Sequence, residues 1–135
     1  MSSATETKKA ISSYRELLVW QKSMDLVVKS YELAKRLPSS ETYGLASQIQ
    51  RAAVSVSANI AEGYGRHHLG DYLHHVSVAN GSLKELETHL LIGQRLSYFR
   101  EEQIESALKL SSETGRMLRS LAGALRRKYS GAPRS

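Results

Sequence analysis

The stretch YLHHVSVANGSLKELETHLLIG, Tyr72–Gly93, decides the fold. Within it Tyr72, Val76, Ala79, Leu83, Leu86, Leu90 and Gly93 recur at alternating steps of four and three. That spacing lines one face of an α-helix, whereas strand side chains change face at every residue. The same rhythm follows downstream in Ile104, Leu108, Ser111, Gly115, Leu118, Ala122, Leu125 and Tyr129. Upstream, Leu45, Ile49, Ala52, Val56 and Ile60 point inward on a helix from about Glu41 to Glu62, with Ser39 or Ser40 as its cap and Gly63 and Gly65 ending it. Further upstream, Leu17, Trp20, Met24, Val27, Tyr31 and Ala34 trace a first helix, opened by a capping box of Ser13 and Glu16 and stopped by Pro38. The connections Pro38 to Ser40, Tyr64 to Gly70 and Ser97 to about Arg100 are short, which makes consecutive helices antiparallel neighbours. The expected architecture is all-α: an antiparallel up-down-up-down four-helix bundle over residues 14–129, between a disordered segment 1–13 and a flexible basic tail 130–135.

Composition agrees and narrows the function classes. A chain of 135 residues with two prolines and nine glycines suits one helical domain. It has no cysteine, which excludes disulfides, zinc-thiolate sites, iron–sulfur clusters and a cysteine nucleophile. Ala52–Ala61 and Tyr72–Leu83, its longer stretches without a charge, fall well short of the ~20 apolar residues that span a bilayer. The first residues lack the apolar core of a secretory signal. A cytoplasmic protein without a membrane partner is expected. Four glycines, Gly81, Gly93, Gly115 and Gly123, fall inside helices at ~1 kcal/mol each relative to alanine, which close approach of backbones would offset. Leu18, Val28, Leu33, Leu37, Leu73, Leu91, Leu110, Met117 and Leu121 broaden the apolar stripes beyond what one bundle buries, so self-association is predicted.

The net charge is +6, and the whole excess sits at one end. Glu101, Glu102, Glu105 and Glu113 open the fourth helix, and after them Arg116, Arg119, Arg126, Arg127, Lys128 and Arg134 face no acid. Cations there complement the carbonyl end of a helix; as a patch they would neutralise phosphates and release counterions. Arg116, Arg119, Arg126, Arg127 and Lys128 are therefore the candidate nucleic-acid contacts. A polar stripe of Gln48, Arg51, Ser55, Asn59 and Glu62 marks the second helix, and a shorter run of Ser82, Glu85 and His89 the third. Such stripes are either solvent faces or a partly buried network that fixes register. With the turn centred near residue 67, Arg51 falls opposite Ser82 to Glu85, and an Arg51–Glu85 pair is predicted.

No phosphate loop, His-Glu-x-x-His, Gly-x-Ser-x-Gly or dinucleotide fingerprint occurs. His67, His68, His74 and His75, with Asp71 and Glu62 nearby, have the ligand chemistry for zinc or nickel, but His74 and His75 are adjacent and face different ways. No metal or cofactor is expected. Most aromatics sit on seams or at helix ends, where core packing claims them; Tyr64 and Tyr129 lie close to arginines, within reach of a bound strand.

Three motifs, YRELLVWQKS (Tyr14–Ser23), YGLASQIQRAAVSVSANIAEGYGR (Tyr43–Arg66) and GSLKELETHL (Gly81–Leu90), resemble the signatures of the "four helix bundle protein" family, also described as the bacterial ribosomal RNA intervening-sequence protein. The resemblance runs in order from about Tyr14 to Lys128. It marks Arg51, Ser55, Asn59, Glu62, Ser82 and Glu85 as a family-motif polar network. Ser57 stands where the family usually has proline, which favours an unbroken second helix. Asn80 replaces a usual arginine, and His75 a usual aromatic residue or leucine. The resemblance implies a cytoplasmic bundle assembling into a cyclic homopentamer, with no established enzymatic activity. A fold-level relative is the basic pentameric accessory protein of diversity-generating retroelements, which binds nucleic acid and a reverse transcriptase. The expected function is a non-enzymatic homo-oligomer whose basic end contacts RNA or DNA through phosphates; the alternative is a protein–protein interaction scaffold with no nucleic-acid role.

Overall fold

The structure, a computed structural model, describes residues 12–131, with side chains through Lys128. The expected disorder at 1–11 and the tail at 132–135 lie outside the described residues, as does the Tyr129 side chain. Four long helices carry the fold: α1 Leu18–Ala34, α2 Leu45–Tyr64, α3 Leu69–Arg95 and α4 Glu101–Gly131. Among the described residues there is no strand, and no helix is long and apolar enough to cross a membrane. α1 packs against α2 and α4, and α3 against α2 and α4, so the four helices close a ring around one core.

The helix ends depart from expectation in instructive ways. Ser13 and Glu16 do not form the expected capping box: at a 3-10 turn, Tyr14–Glu16, that precedes α1, the Ser13 hydroxyl accepts from Arg15 N at 3.2 Å and Glu16 Oε1 accepts from Ser12 N at 2.8 Å, so neither bond joins the two residues. Ser12 and Ser13, the last two residues of the segment expected to be disordered, make these contacts at the entry of α1. α2 starts at Leu45 rather than about Glu41, because Ser39–Glu41 forms its own 3-10 turn. Its cap is neither Ser39 nor Ser40. Glu41 Oε1 accepts from Leu45 N at 2.9 Å, placing a carboxylate at the positive end of the helix. The other carboxylate oxygen accepts from the Tyr98 hydroxyl at 3.0 Å, which pins the α3–α4 turn to the start of α2. Gly63 does not end α2; it is buried within it, where a Cβ would stand 2.8 Å from His75 Cβ. α4 continues two residues past the expected limit at Tyr129.

The inward seams of α2, α3 and α4 are those the spacing predicts: Ile49, Val56, Ile60, Leu83, Leu86, Leu90, Ile104 and Leu118 are all fully or almost fully buried. α1 is the exception. Its buried face is Val19, Ser23, Leu26, Ser30, Leu33 and Ala34; of the expected line Ala34 alone is buried, while Leu17, Trp20 and Val27 are half-buried and Met24 and Tyr31 exposed. One residue of slip turns a helix by ~100°. Of the two inward serines, Ser23 is accommodated by hydrogen bonds, its Oγ donating to Trp20 O at 2.6 Å and meeting Ser57 Oγ of α2 at 2.8 Å, whereas Ser30 Oγ is buried with no partner among the described residues. That contact also uses Ser57 in a helix that runs unbroken, as a residue other than proline allows.

Candidate nucleic-acid interface and polar network

The basic half of α4 has a definite geometry. Arg116, Arg119, Arg126, Arg127 and Lys128 are all exposed. At ~100° per residue, Arg119 and Arg126 fall within about 20° of one another, and Arg116 and Arg127 follow about 70° round the same side. Lys128 projects from a different side. Two guanidinium groups fold back over interior glycines of this face: a Cβ at Gly115 would stand 3.4 Å from Arg119 Nη1, and one at Gly123 3.5 Å from Arg127 Nη1, both ordinary van der Waals contacts. A Cβ at Gly115 would meet Leu83 of α3 at 3.6 Å, an ordinary van der Waals contact, and Gly81 faces open space, so of the four interior glycines only Gly93 shows the close approach expected, with a Cβ 2.6 Å from the Phe99 ring. Arg116 Nη1 donates to Ser112 Oγ at 3.3 Å.

Between α3 and α4, Arg119 and Arg126 rim a groove of about 250 Å³ floored by Leu73, Val76, Leu118 and Ala122. Asn80 also lines it, and its Oδ1 is buried with no hydrogen-bond partner among the described residues. Sequence reasoning placed these arginines but missed the groove, which forms only when two helices are docked.

The polar stripe of α2 resolves into a short chain. Ser55 Oγ meets Ser82 Oγ at 2.7 Å; Asn59 Nδ2 donates to Ser55 O at 2.9 Å and Ser55 Oγ at 3.2 Å; and His75 Nδ1 lies 2.9 Å from Asn59 Oδ1. With the Asn59 amide donating to Ser55, its oxygen accepts, so His75 carries the proton on Nδ1. Three of the six expected network residues, Ser55, Asn59 and Ser82, are joined, and His75 is added. Glu62 instead pairs along α2 with Arg66 at 3.4 Å. Among the described residues no ion pair joins Arg51 to Glu85, which corrects that prediction: both side chains are exposed, and Arg51 lines a groove with Tyr31 and Val54. Two serines occupy the interhelical position where a longer charged pair was expected. His89 Nε2 is buried without a partner among the described residues.

The other histidines do not assemble. His67, His68 and His74 are exposed, and among the described residues no three His, Asp or Glu side chains form a metal-binding group. Tyr64 packs edge-on against Tyr72, with ring centroids 6.3 Å apart, so it belongs to the α2–α3 turn packing. Burial, then the neighbouring Tyr64, pushes the Tyr72 phenol above its ordinary range.

The line predicted to face inward on α1 lies at the edge of the core instead: Ala34 is buried, Leu17, Trp20 and Val27 are half-buried against the core, and Met24 and Tyr31 are exposed. Tyr14, Trp20, Met24 and Val27 meet Val54 and Ala58 of α2 around a groove of about 300 Å³. Val28, 58% exposed, extends this apolar side, whereas Leu18, 70% exposed, lies on the opposite side of α1.

The family model described as 23S rRNA-intervening sequence protein matches residues 15–120. Among solved structures, the chain is similar to a protein with unknown function from the S23 ribosomal protein family of Bacteroides thetaiotaomicron VPI-5482. The two share 28% identity over 78% of this chain and 98% of that one, with a TM-score of 0.73. No curated protein matches the chain.

Proposed function

The chain belongs to the 23S rRNA-intervening sequence protein family, and from that premise we propose that it is a non-enzymatic, cytoplasmic homo-oligomer that contacts RNA or DNA phosphates through the basic end of α4. The observation that carries the nucleic-acid reading is the shared side of Arg116, Arg119, Arg126 and Arg127, in a stretch of chain that holds no Asp or Glu after Glu113. Each phosphate neutralised on a single strand contributes ~0.7 to the slope of log affinity against log salt. A titration with labelled single-stranded RNA over a salt series tests it. Replacing Arg119, Arg126 and Arg127 with alanine is expected to weaken binding and flatten the slope by about 2. Absence of binding by the unaltered protein at low salt would defeat the reading.

The outward apolar side of α1 favours a second element of the proposal, self-association. We read the fold as the up-down-up-down antiparallel bundle, supported by contacts that run in opposite order along neighbours: Ser55 with Ser82, then Asn59 with His75, then Gly63 with Tyr72. In such a bundle the Trp20–Met24–Val27 side faces outward and is covered by another copy, in a cyclic pentamer of the 15.0 kDa chain. Met24→Glu with Val27→Glu is expected to reduce the mass seen by sedimentation equilibrium to that of one chain. An unaltered protein that is already monomeric would sink this part and favour the scaffold alternative, in which the same side engages a different protein.

A further inference from the structure

We propose that the phosphate surface extends over the end of the bundle closed by the α2–α3 turn, where His67, His68 and His74, once protonated, join the α4 cations in contacting a single-stranded RNA, so that binding tightens as pH falls. The inference rests on the nucleic-acid reading above and adds to it three contact residues and a pH dependence. The register of α3 against α4 brings these side chains to one end. Ser111 Oγ donates to Glu87 at 2.6 Å, a Cβ at Gly115 would stand 3.6 Å from Leu83, and Leu73 lines one groove with Arg126. Each step down α3 is matched by a step up α4, which sets Lys128 level with about Gly70, in the first turn of α3. The α2–α3 turn, residues 65–68, closes that same end. His67 and His68 are exposed in and beside it, His74 directly follows Leu73 of the groove and is exposed too, and so are Arg126, Arg127 and Lys128.

The acids around this end are largely engaged elsewhere. Glu62 pairs with Arg66 at 3.4 Å, Glu16 of the entry turn accepts from Ser12 N, and Asp71 stands in the first turn of α3. Arg15 lies over the Tyr14 ring and adds a further cation. Tyr72 packs on Tyr64, and His75 turns to Asn59 of α2, so neither belongs to the exposed set. Among the described residues no ion pair joins His67, His68 or His74 to a carboxylate. Histidine is the side chain whose ordinary charge change falls between pH 5 and 8. A neutral imidazole releases no counterion, whereas a protonated one that meets a phosphate of a single strand adds ~0.7 to the slope of log affinity against log salt. A strand that favours the protonated form takes up protons as it binds, and by reciprocity its affinity rises as protons are supplied.

The test uses the full chain and a labelled 12-mer of oligo-U RNA, whose bases stay neutral throughout, titrated over a salt series at pH ~5.5 and pH ~8. From the higher pH to the lower, affinity at low salt is expected to rise about 10-fold and the salt slope by about 2. The combined variant His67→Gln, His68→Gln and His74→Gln should lose both changes and keep the affinity of the unaltered protein at the higher pH. The combined variant His67→Lys, His68→Lys and His74→Lys holds the charge at either pH, and should bind at the higher pH about as tightly as the unaltered protein does at the lower. An affinity of the unaltered protein that does not change with pH overturns the inference and leaves phosphate binding standing. So does a lysine variant no tighter than the unaltered protein at the higher pH. A pH dependence that survives in the glutamine variant belongs to His75 or His89 and overturns the assignment to this end. Failure to bind at low salt at either pH overturns the nucleic-acid reading and this inference with it.

Discussion

Alanine at Gly93, with Gly81→Ala as its counterpart, sets a packing cost against a helix-propensity gain of the same size at both positions. A Cβ at Gly93 would stand 2.6 Å from two carbons of the Phe99 ring. Favourable carbon–carbon contact begins near ~3.5 Å, so the ring would have to retreat by about 0.9 Å. It has little freedom to do so. Phe99 is 2% exposed, its amide donates to Gly93 O at 3.3 Å, and the adjacent Tyr98 is tied both to that carbonyl at 2.8 Å and to Glu41. Overpacking of this kind costs ~1–3 kcal/mol, while alanine in place of glycine in a helix returns ~0.8–1 kcal/mol. Gly93→Ala is thus expected to lose about 1 kcal/mol net. At Gly81 a Cβ meets nothing within 4 Å, so the ~1 kcal/mol gain stands alone. The difference between the two variants is the more secure quantity, because the propensity contribution is common to both: ~1–3 kcal/mol, with Gly81→Ala the more stable. Urea denaturation followed by circular dichroism reads it, at one fixed protein concentration because association raises apparent stability. Equal midpoints, or a higher one for Gly93→Ala, would refute the reasoning.

Two further predictions concern hydroxyl groups. Ser30 Oγ is buried without a partner among the described residues, whereas Ser23 Oγ has two. Ser30→Ala is expected to be neutral or stabilising by up to ~1 kcal/mol, and Ser23→Ala destabilising by ~0.5–1.5 kcal/mol, in the same denaturation assay. Tyr98 donates to Glu41, and that bond, with lesser contributions from burial and the Glu41 charge, raises the phenol above its ordinary value. A proton held more tightly in the folded state gives stabilisation that is complete below pH ~10 and is lost as pH rises through the folded value. Melting temperature should therefore decline in strong alkali for the unaltered protein, and Tyr98→Phe should lower it near neutrality while shallowing that alkaline decline.

Three of the four seams were legible because charged residues flank them. On α3, Lys84, Glu85 and Glu87 leave only one way for the Leu83–Leu86–Leu90 line to face. α1 carries two apolar lines about one residue apart, and apolar spacing alone favours the longer line through Trp20 and Met24. What decides the matter is the Ser23–Ser57 contact, which requires knowing which helix lies alongside and where. The Arg51–Glu85 expectation went astray for a related reason. The α2–α3 register near residue 67 was sound, as Asn59 with His75 illustrates. Register, however, fixes height along the helices and not rotation about them. Arg51 precedes Ser55 by four residues, ~40° more than one full turn, and that rotation turns it toward Tyr31 rather than α3.

The same distinction bears on why α4 is basic at all. A helix macrodipole attracts cations within about one turn of the C-terminus. α4 ends at Gly131, so Lys128 and Arg127 lie within that reach and Arg126 at its edge. Arg116 and Arg119 are three to four turns upstream, where the macrodipole gives them no advantage. Among the described residues neither makes an ion pair with an acid; one guanidinium rests on Ser112 and the other folds over Gly115. Helix stability therefore accounts for the last three cations and leaves Arg116 and Arg119 without a structural role of their own. Arg119 rims the α3–α4 groove together with Arg126 of the terminal cluster. A phosphate-binding surface predicts that Arg119→Ala lowers the salt slope by ~0.7 while leaving the melting temperature unchanged. A purely terminal dipole effect predicts that Lys128→Ala lowers the melting temperature and that Arg119→Ala changes neither.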